Sequence, residues 1–287
     1  MSLLSPQLEA FVAVAKLKTV HGAADELFIT QTAVTQRIRT LEGKLASTLF
    51  VRTRRGMMLT PEGEALLRYC HATMELEGKA LASIHGAGRE SAIRFCITGP
   101  TSIMHSRVIT QSFPIMRKFP NLLMQFDIND QETRIRALRS GESQLAVIQH
   151  EDVAAEMKYK LLQPEHYVLV CSKAWRHRKL KDIVNTERII DYDPSDQMTI
   201  NYLRHFHLLD FTQHERHFVN RTDMMAMMLA AGLGYGVLTL EFSQPWVKSG
   251  KLIILNSAKK YENKMVLAWY DRPEPPPYFS AIIDSIL

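Results

Sequence analysis

Apolar residues at the start of the chain recur three and four positions apart, the spacing of one face of an α-helix. This pattern predicts an amphipathic helix from Ser5 to Lys18, with a Ser-Pro pair at its start. A second, short helix is predicted over 22–28, where small residues allow another helix to approach closely. Thr30 is suited to cap a third helix that runs to about Leu45.

The third predicted helix has two unlike faces. Its apolar positions, spaced by four and three residues, are expected to be buried: Val34, Ile38, Leu41 and Leu45. Its outward face is polar and consists of Gln31, Thr32, Thr35, Gln36 and Arg39. After this helix, the segment 49–60 predicts two short strands around a basic turn at 53–56.

A long helix is predicted from Pro61 to about His85. It carries two apolar stripes, one formed by Leu67, Cys70, Met74, Leu81 and Ile84, and the other by Leu66, Tyr69, Leu76 and Ala80. A long helix with so wide an apolar face is typical of dimerisation through a second copy of the chain. The alternative is that the helix lies against its own domain.

Beyond the glycine-rich linker at 86–88, predicted strands and helices alternate, which favours an α/β fold with parallel strands in two similar halves. Two such halves, joined by crossing strands, leave a cleft that is suited to a small ligand. The expected domains are a DNA-binding domain (1–60), a linker and dimerisation helix with a hinge (61–88) and an effector domain (89–287). Within the last, subdomain one is expected over about 89–162 and 268–287, and subdomain two over about 163–267.

The composition of the 287-residue chain indicates an ordinary globular protein with a mildly basic net charge of +5. The charge is concentrated, because residues 1–60 carry eight Lys or Arg against four acids. The three cysteines are widely spaced, which favours reduced thiols over a disulfide framework. With neither a secretory signal nor a membrane-spanning apolar run in the sequence, we expect a cytoplasmic protein with no membrane partner.

The polar face of the third helix has the chemistry that reads DNA. Gln pairs with adenine, Arg pairs with guanine, and Thr contacts phosphate or the methyl group of thymine. Basic residues on the hairpin are placed to contact a neighbouring phosphate or the minor groove. The predicted DNA contacts are Thr30, Gln31, Thr32, Thr35, Gln36, Arg37, Arg39, Arg52, Arg54 and Arg55. The alternative is an ordinary solvated helix face, but the combination of tight turn, polar-faced helix and basic hairpin favours DNA.

The segment 23–67 resembles the winged helix-turn-helix of LysR-type regulators almost position for position. The matching residues are Ala23-Ala24, Thr30-Gln31, Ala33-Val34-Thr35, Ile38, Leu41-Glu42, Leu49-Phe50, Arg52, Leu59-Thr60 and Gly63. The family's Ala-Gly-x-Gly turn corresponds to residues 231–234. Thr32, where many members have proline, and Ser47-Thr48, near which a glycine is common, depart from the pattern.

This resemblance implies an N-terminal winged helix-turn-helix, a long linker helix, and a C-terminal α/β effector domain of two subdomains similar to periplasmic binding proteins. It also implies a sequence-specific transcription regulator whose partners are a double-stranded DNA operator, a small-molecule effector, RNA polymerase and further copies of the chain. The copies would form a homodimer and then a tetramer.

The effector is expected in the cleft between the subdomains, at strand ends and helix starts. These positions are Gly99, Pro100, Thr101, Ser102, Asn129, Asp130, Gln149, Asp193, Asp196, Asn220 and Thr222. The acids among them suit an amino acid with a cationic side chain, and two segments around them are similar to the subgroup that senses lysine and arginine. The alternatives are an organic or aromatic acid as effector, and acids that only cap helices and form turns.

Other classes of function have less support in the sequence. His205, His207, His214 and His217 lack the carboxylate and cysteine partners of a metal site. The glycines at 232–236 follow a helix and precede a strand, the reverse of a dinucleotide-binding loop. No nucleophile motif is present, so we expect no enzyme, catalytic residue, metal or cofactor. A solute-binding protein or an enzyme built on the C-terminal half is the alternative from another class.

Overall fold

The computed structural model describes residues 4–84, 92–129, 131–213, 215–272 and 274–287. The N-terminal elements are the helices α1 (Pro6–Leu17), α2 (Val20–Glu26) and α3 (Gln31–Leu45) and the strands β1 (Phe50–Thr53) and β2 (Gly56–Leu59). Their order confirms the predicted helices and hairpin. Helix α2 begins two residues earlier than predicted, because the Thr19 hydroxyl caps it by accepting a hydrogen bond from the amide of Gly22 at 3.0 Å.

Helix α3 forms as its sequence predicts. The Thr30 hydroxyl accepts a hydrogen bond from the amide of Ala33 at 3.1 Å, which satisfies one of the unpaired amides of the first turn. Three of the four apolar positions are buried, but Leu45 is 46% exposed. The helix ends at Ala46 in a left-handed conformation, so the last residue of the apolar stripe extends beyond the core.

Helix α4 (Pro61–Ile84) is the predicted long helix. Its first half packs on the N-terminal domain, where Leu67 and Cys70 are buried in the core. Part of one predicted dimerisation stripe is therefore covered by the chain's own domain. On the second stripe, Tyr69 is 58% exposed and Leu76 is 65% exposed.

The remaining strands and helices belong to the C-terminal part of the chain. The strands are β3 (Ile93–Gly99), β4 (Leu122–Ile128), β5 (Leu145–Gln149), β6 (Met157–Leu161), β7 (Glu165–Ser172), β8 (Ile189–Asp191), β9 (Arg216–Phe218), β10 (Gly236–Thr239), β11 (Leu252–Ile254), β12 (Tyr261–Asn263) and β13 (Met265–Tyr270). The helices are α5 (Thr101–Ile103), α6 (Ile109–Lys118), α7 (Gln131–Ser140), α8 (Leu180–Thr186), α9 (Met198–His205), α10 (Thr222–Ala230), α11 (Leu240–Lys248) and α12 (Pro277–Ser285). A π-helical turn (Met104–Val108) joins α5 directly to α6.

Subdomain one is built on a five-stranded sheet in the order β4-β3-β5-β13-β6. Strands β4, β3 and β5 are parallel, as the alternating pattern predicts, whereas β13 is antiparallel to β5 and β6. The predicted subdomain boundary between 267 and 268 falls inside β13. All of β13 belongs to subdomain one, because it pairs with β5 from Met265 onward.

Subdomain two departs further from the predicted parallel sheet. Strand β7 pairs antiparallel with β10, β11 and β12, whereas β8 and β9 form a parallel pair. The strands β11 and β12 each have three residues, too short to show a periodicity in the sequence. Two separate apolar clusters lie on this sheet, one of which buries Tyr202 and Tyr235 and the other Met225 and Leu229.

Within the described ranges, no helix combines the length and apolar character needed to cross a bilayer.

Candidate functional site

A concave polar surface of about 540 Å³ lies on the N-terminal domain, between α3, the start of α2 and the hairpin. It is lined by Lys18, Thr19, Val20, His21, Gln31, Thr32, Thr35, Gln36, Arg39, Arg52, Gly56 and Met57. Six of the predicted DNA contacts therefore share one surface. Thr30 lies at the cap of α3, and Arg54 and Arg55 are exposed on the hairpin turn. Arg37 instead donates a hydrogen bond to the Pro6 carbonyl oxygen at 3.5 Å.

Two side chains of the concave surface are held by neighbours. The Gln31 amide nitrogen lies 3.1 Å from Nδ1 of His21. The Thr35 hydroxyl donates to the Gln31 carbonyl oxygen at 2.9 Å, so it is the Thr35 methyl group that is available for an apolar contact. The sequence interpretation missed Lys18 and Thr19, which lie in the turn before α2, and His21, which lies in the first turn of α2.

The hairpin is attached to the turn between α1 and α2. The amide of Met57 donates to the Lys18 carbonyl oxygen at 2.8 Å, and Gly56 adopts a φ of +105° beside it. A Cβ at Gly56 would lie 2.4 Å from the Lys18 carbonyl oxygen, so only glycine permits this approach. The contact places Arg52 at the edge of the concave surface.

A cavity of about 940 Å³ separates the two subdomains. Eight of the predicted effector-binding residues line it: Pro100, Thr101, Ser102, Asn129, Gln149, Asp193, Asp196 and Thr222. Gly99 and Asn220 are not among its lining residues, and Asp130 lies outside the described residues. Gly99 is buried, and a Cβ there would lie 2.7 Å from Sδ of Met104.

The acids of the cavity also form a turn, as the alternative interpretation proposed. Oδ1 of Asp193 accepts hydrogen bonds from the amide and hydroxyl of Ser195 and from the amide of Asp196, at 2.7, 2.5 and 3.0 Å. Asp196 in turn accepts hydrogen bonds from the amides of Tyr192 and Met198 at 3.3 and 2.8 Å. Both carboxylates therefore shape the turn and line the cavity.

Two family models match the chain. Residues 6–64 match the bacterial regulatory helix-turn-helix protein of the lysR family, and residues 89–287 match the LysR substrate binding domain. The chain belongs to the LysR family of bacterial transcription regulators. As a family member it is a DNA-binding regulator with an effector-binding domain, which confirms the predicted fold class and general function.

Named relatives of this LysR-type chain are also transcription regulators. LysG of Mycobacterium tuberculosis is 26% identical over 253 residues, which cover 86% of this chain and 82% of that protein. The crystal structure of ArgP from Mycobacterium tuberculosis superimposes with a TM-score of 0.79 at 24% identity, covering 99% of this chain and 96% of the other. Full-length LysG from Corynebacterium glutamicum with bound effector Arg gives a TM-score of 0.77 at 19% identity, with the same coverage.

The acidic turn of this LysR-type protein is supported from beneath by an ion pair. Arg216 donates to Oδ2 of Asp191 at 3.0 Å and to the carbonyl oxygens of Asp196 and Pro194 at 3.0 and 3.1 Å. Burial raises the pKa of Asp191, which is 0% exposed, while hydrogen bonds from Thr199 and Arg216 oppose this effect. Arg216 thereby holds the backbone of the turn in place.

Other residues that line the cavity between the subdomains were not predicted. They include side chains from α7, α9 and β10 and the aromatic Tyr167 and Tyr192, together with Gln131, Glu132, Arg134, Ile135, Ser195, Gln197, Met198, Asn201, Met225, Val237, Leu238 and Thr239. Helix periodicity places Glu132 and Ile135 on one side of α7, but it does not indicate which side faces the cavity. Within the described residues, no group of His, Cys, Asp or Glu is placed to hold a metal ion.

Proposed function

We propose that this LysR-type regulator senses an amino acid with a cationic side chain in the cavity between its subdomains. The observation that carries the proposal is the charge of the cavity wall, where Glu132, Asp193 and Asp196 face a single cation, Arg134, among the described lining residues. Carboxylates in a partly enclosed site attract an ammonium or guanidinium group more strongly than they do in open water.

The polar groups on the opposite wall complement this charge. Thr101 and Ser102 line the cavity at the start of the continuous helical segment that runs to Lys118. Amide groups at the beginning of a helix favour a carboxylate, which every α-amino acid carries. The names of LysG and ArgP, and the arginine bound to LysG of Corynebacterium glutamicum, agree with an effector of this class.

A second effector class is supported by Arg134. Its side chain lines the cavity and donates to the Asn129 carbonyl oxygen at 2.8 Å, and a guanidinium group there also suits an organic or aromatic acid. An effector with a cationic side chain would be held by the acids of the cavity, whereas an organic or aromatic acid would be held by Arg134. Substitutions of the acids therefore distinguish the two effector classes.

The test is thermal melting of the full chain with L-arginine, L-lysine and a panel of organic acids. Asp193→Asn keeps an oxygen that accepts the three turn hydrogen bonds but removes the charge, so it separates binding from turn formation. We expect this variant to weaken the binding of L-arginine or L-lysine about tenfold. Asp182→Asn, which removes an exposed acid of α8 outside the cavity, is the matched control. A stabilising shift by an organic acid alone would overturn the proposed effector class.

The concave surface of the N-terminal domain is the proposed DNA-contact site, with α3 in the major groove. Gln31→Ala and Arg39→Ala are expected to lower the discrimination between operator and random DNA by about 1–3 kcal/mol each. Arg54→Ala is expected to weaken binding to all DNA and to reduce the slope of affinity against salt by about one. Lys44→Ala, on an exposed position outside the concave surface, serves as the control.

The DNA experiment uses an operator fragment recovered by affinity selection from random duplexes, and fluorescence anisotropy at several salt concentrations. Equal losses on operator and random DNA for Gln31→Ala, Arg39→Ala and Arg54→Ala would contradict this division of roles.

The regulator works in the cytoplasm as a homodimer that pairs into a tetramer. The exposed Tyr69 and Leu76 on α4 support pairing through this helix. Two α3 helices held in this way would meet successive major grooves, so the operator is an interrupted palindrome. The effector favours one arrangement of the two subdomains over the other, and only that difference in affinity shifts the equilibrium. The shift changes the spacing of the DNA-binding domains, DNA bending and the contact with RNA polymerase.

A further inference from the structure

His21 links the first turn of α2 to the start of α3 within the concave surface of the N-terminal domain. Its Nδ1 atom lies 3.1 Å from the amide nitrogen of Gln31. Its Nε2 atom lies 3.5 Å from Oδ2 of Asp25, one turn later on α2. Asp25, His21 and Gln31 therefore form a row of side chains that ends on the surface proposed to contact DNA.

The protons in this row have one consistent arrangement. An amide nitrogen only donates, so the Nδ1 atom of His21 accepts one of the two protons on Nε2 of Gln31. A neutral imidazole has one donor and one acceptor, which places the proton of His21 on its Nε2 atom, facing the Asp25 carboxylate. The charge of Asp25 thus favours the tautomer in which His21 accepts from Gln31.

Gln31 then has one amide proton and its carbonyl oxygen Oε1 left for a base. Adenine presents one acceptor and one donor in the major groove, N7 and the N6 amino group, which match this pair. Guanine presents two acceptors, N7 and O6, and one Gln side chain can satisfy both only by donating both amide protons. A Gln side chain that has already used one proton therefore discriminates adenine from guanine more strongly than a free one does.

We propose that His21 is a positioning residue that holds one amide proton of Gln31 and so raises the preference for adenine over guanine at the base pair that Gln31 contacts. The side chains of His21 and Asp25 are 73% and 68% exposed, so their contact contributes little to folding. DNA seated on the concave surface would exclude water from the row and strengthen its hydrogen bonds. This inference rests on the proposed contact between Gln31 and DNA.

The experiment measures base discrimination by the full chain. The probes are the operator duplex recovered by affinity selection and duplexes in which each A·T pair of a half-site is replaced by G·C with the purine on the same strand. Fluorescence anisotropy gives the affinity ratio at each position, and Gln31→Ala identifies the base pair at which Gln31 acts. There we expect the wild-type chain to prefer adenine at least about tenfold. His21→Ala should lower this ratio about three- to tenfold, because the guanine duplex gains a second amide proton.

A conservative variant separates positioning from a purely structural role. In His21→Asn the carbonyl oxygen Oδ1 takes the place of Nδ1 and accepts the same proton, so the adenine preference should return toward that of the wild-type chain. Because His21 is exposed, both variants should melt at the temperature of the wild-type chain. Glu26→Gln is the matched control, since Glu26 lies on the same helix but pairs with Lys16 at 2.9 Å and does not line the concave surface. It should leave the preference unchanged.

The outcomes separate this inference from the proposed DNA contact. If Gln31→Ala changes discrimination at one base pair but His21→Ala keeps the ratio there, the inference fails and the contact of Gln31 stands. The same holds if His21→Ala weakens both duplexes equally, if His21→Asn behaves like His21→Ala, or if the selected base at that pair is not adenine. If Gln31→Ala discriminates every base pair as the wild-type chain does, the proposed contact fails and the role of His21 fails with it.

Discussion

The hydroxyl of Tyr278 donates a hydrogen bond to Oε1 of Glu75 at 2.6 Å and so joins α12 of the effector domain to the linker helix α4. Oε2 of the same carboxylate accepts from Arg272 at 3.1 Å. Two turns earlier along α4, the Arg68 guanidinium lies 3.6 Å from the centre of the Tyr270 ring. One face of α4 therefore docks on subdomain one.

We predict that Glu75→Ala weakens this docking by about 1.5–3 kcal/mol, because it leaves two partly buried donors without their charged acceptor. The measurement is thermal melting of the full chain. Glu62→Ala, at an exposed position in the first turn of α4, is the control and should cost less than about 1 kcal/mol. Equal melting temperatures for Glu75→Ala and the wild-type chain would show that the docking contributes nothing to stability.

The structure gives a role to Glu42, one of the residues that match the LysR helix-turn-helix pattern. Its Oε1 atom accepts a hydrogen bond from the amide of Leu49 at 2.8 Å, which attaches the start of the hairpin to α3. Glu42→Ala should destabilise the chain by about 1–3 kcal/mol, because the Leu49 amide loses its partner in a residue that is 1% exposed. Glu42→Gln keeps an accepting oxygen and should cost less than about 1 kcal/mol. Urea unfolding followed by circular dichroism compares the two, and equal losses would contradict the hydrogen-bond explanation.

The three thiols are predicted to be inert in the folded protein. All three are buried, and burial raises the pKa of Cys70 to about 11 and that of Cys96 and Cys171 to about 12. At pH 8 the thiolate fraction of each is then on the order of 10⁻³ or less. A disulfide reagent such as Ellman's should react fast with all three thiols in denaturant and only slowly without it. Rapid reaction of a native thiol would contradict the burial.

The stability of the ligand-free chain should depend on pH through Glu165, the first residue of β7, which is 3% exposed. The folded-state pKa of Glu165 is raised above its ordinary value, so its contribution is fully present at low pH and is lost as the pH rises through the raised pKa. Glu165→Gln removes that dependence, and the difference in melting temperature between the two chains as a function of pH measures it.

The DNA-binding domain was largely predictable because its signals are local. The cap at Thr30, the buried stripe of α3 and the basic hairpin turn all depend on residues a few positions apart. Local signals did not place Arg37, whose side chain contacts Pro6, 31 residues away in the sequence. They also missed His21, which joins the polar surface only when α2 packs beside α3.

The effector cavity was only partly predictable, because pairing between distant strands decides it. Strand β13 completes the first sheet by pairing with β5 and β6, more than 100 residues earlier, and β7 pairs antiparallel with strands that follow it much later. The sequence by itself determined which residues end strands and begin helices, because those choices depend on local conformation and capping. Only the tertiary structure decided that the Asn263 amide meets Glu165, 98 residues away in the sequence, since that contact exists only after β12 pairs with β7.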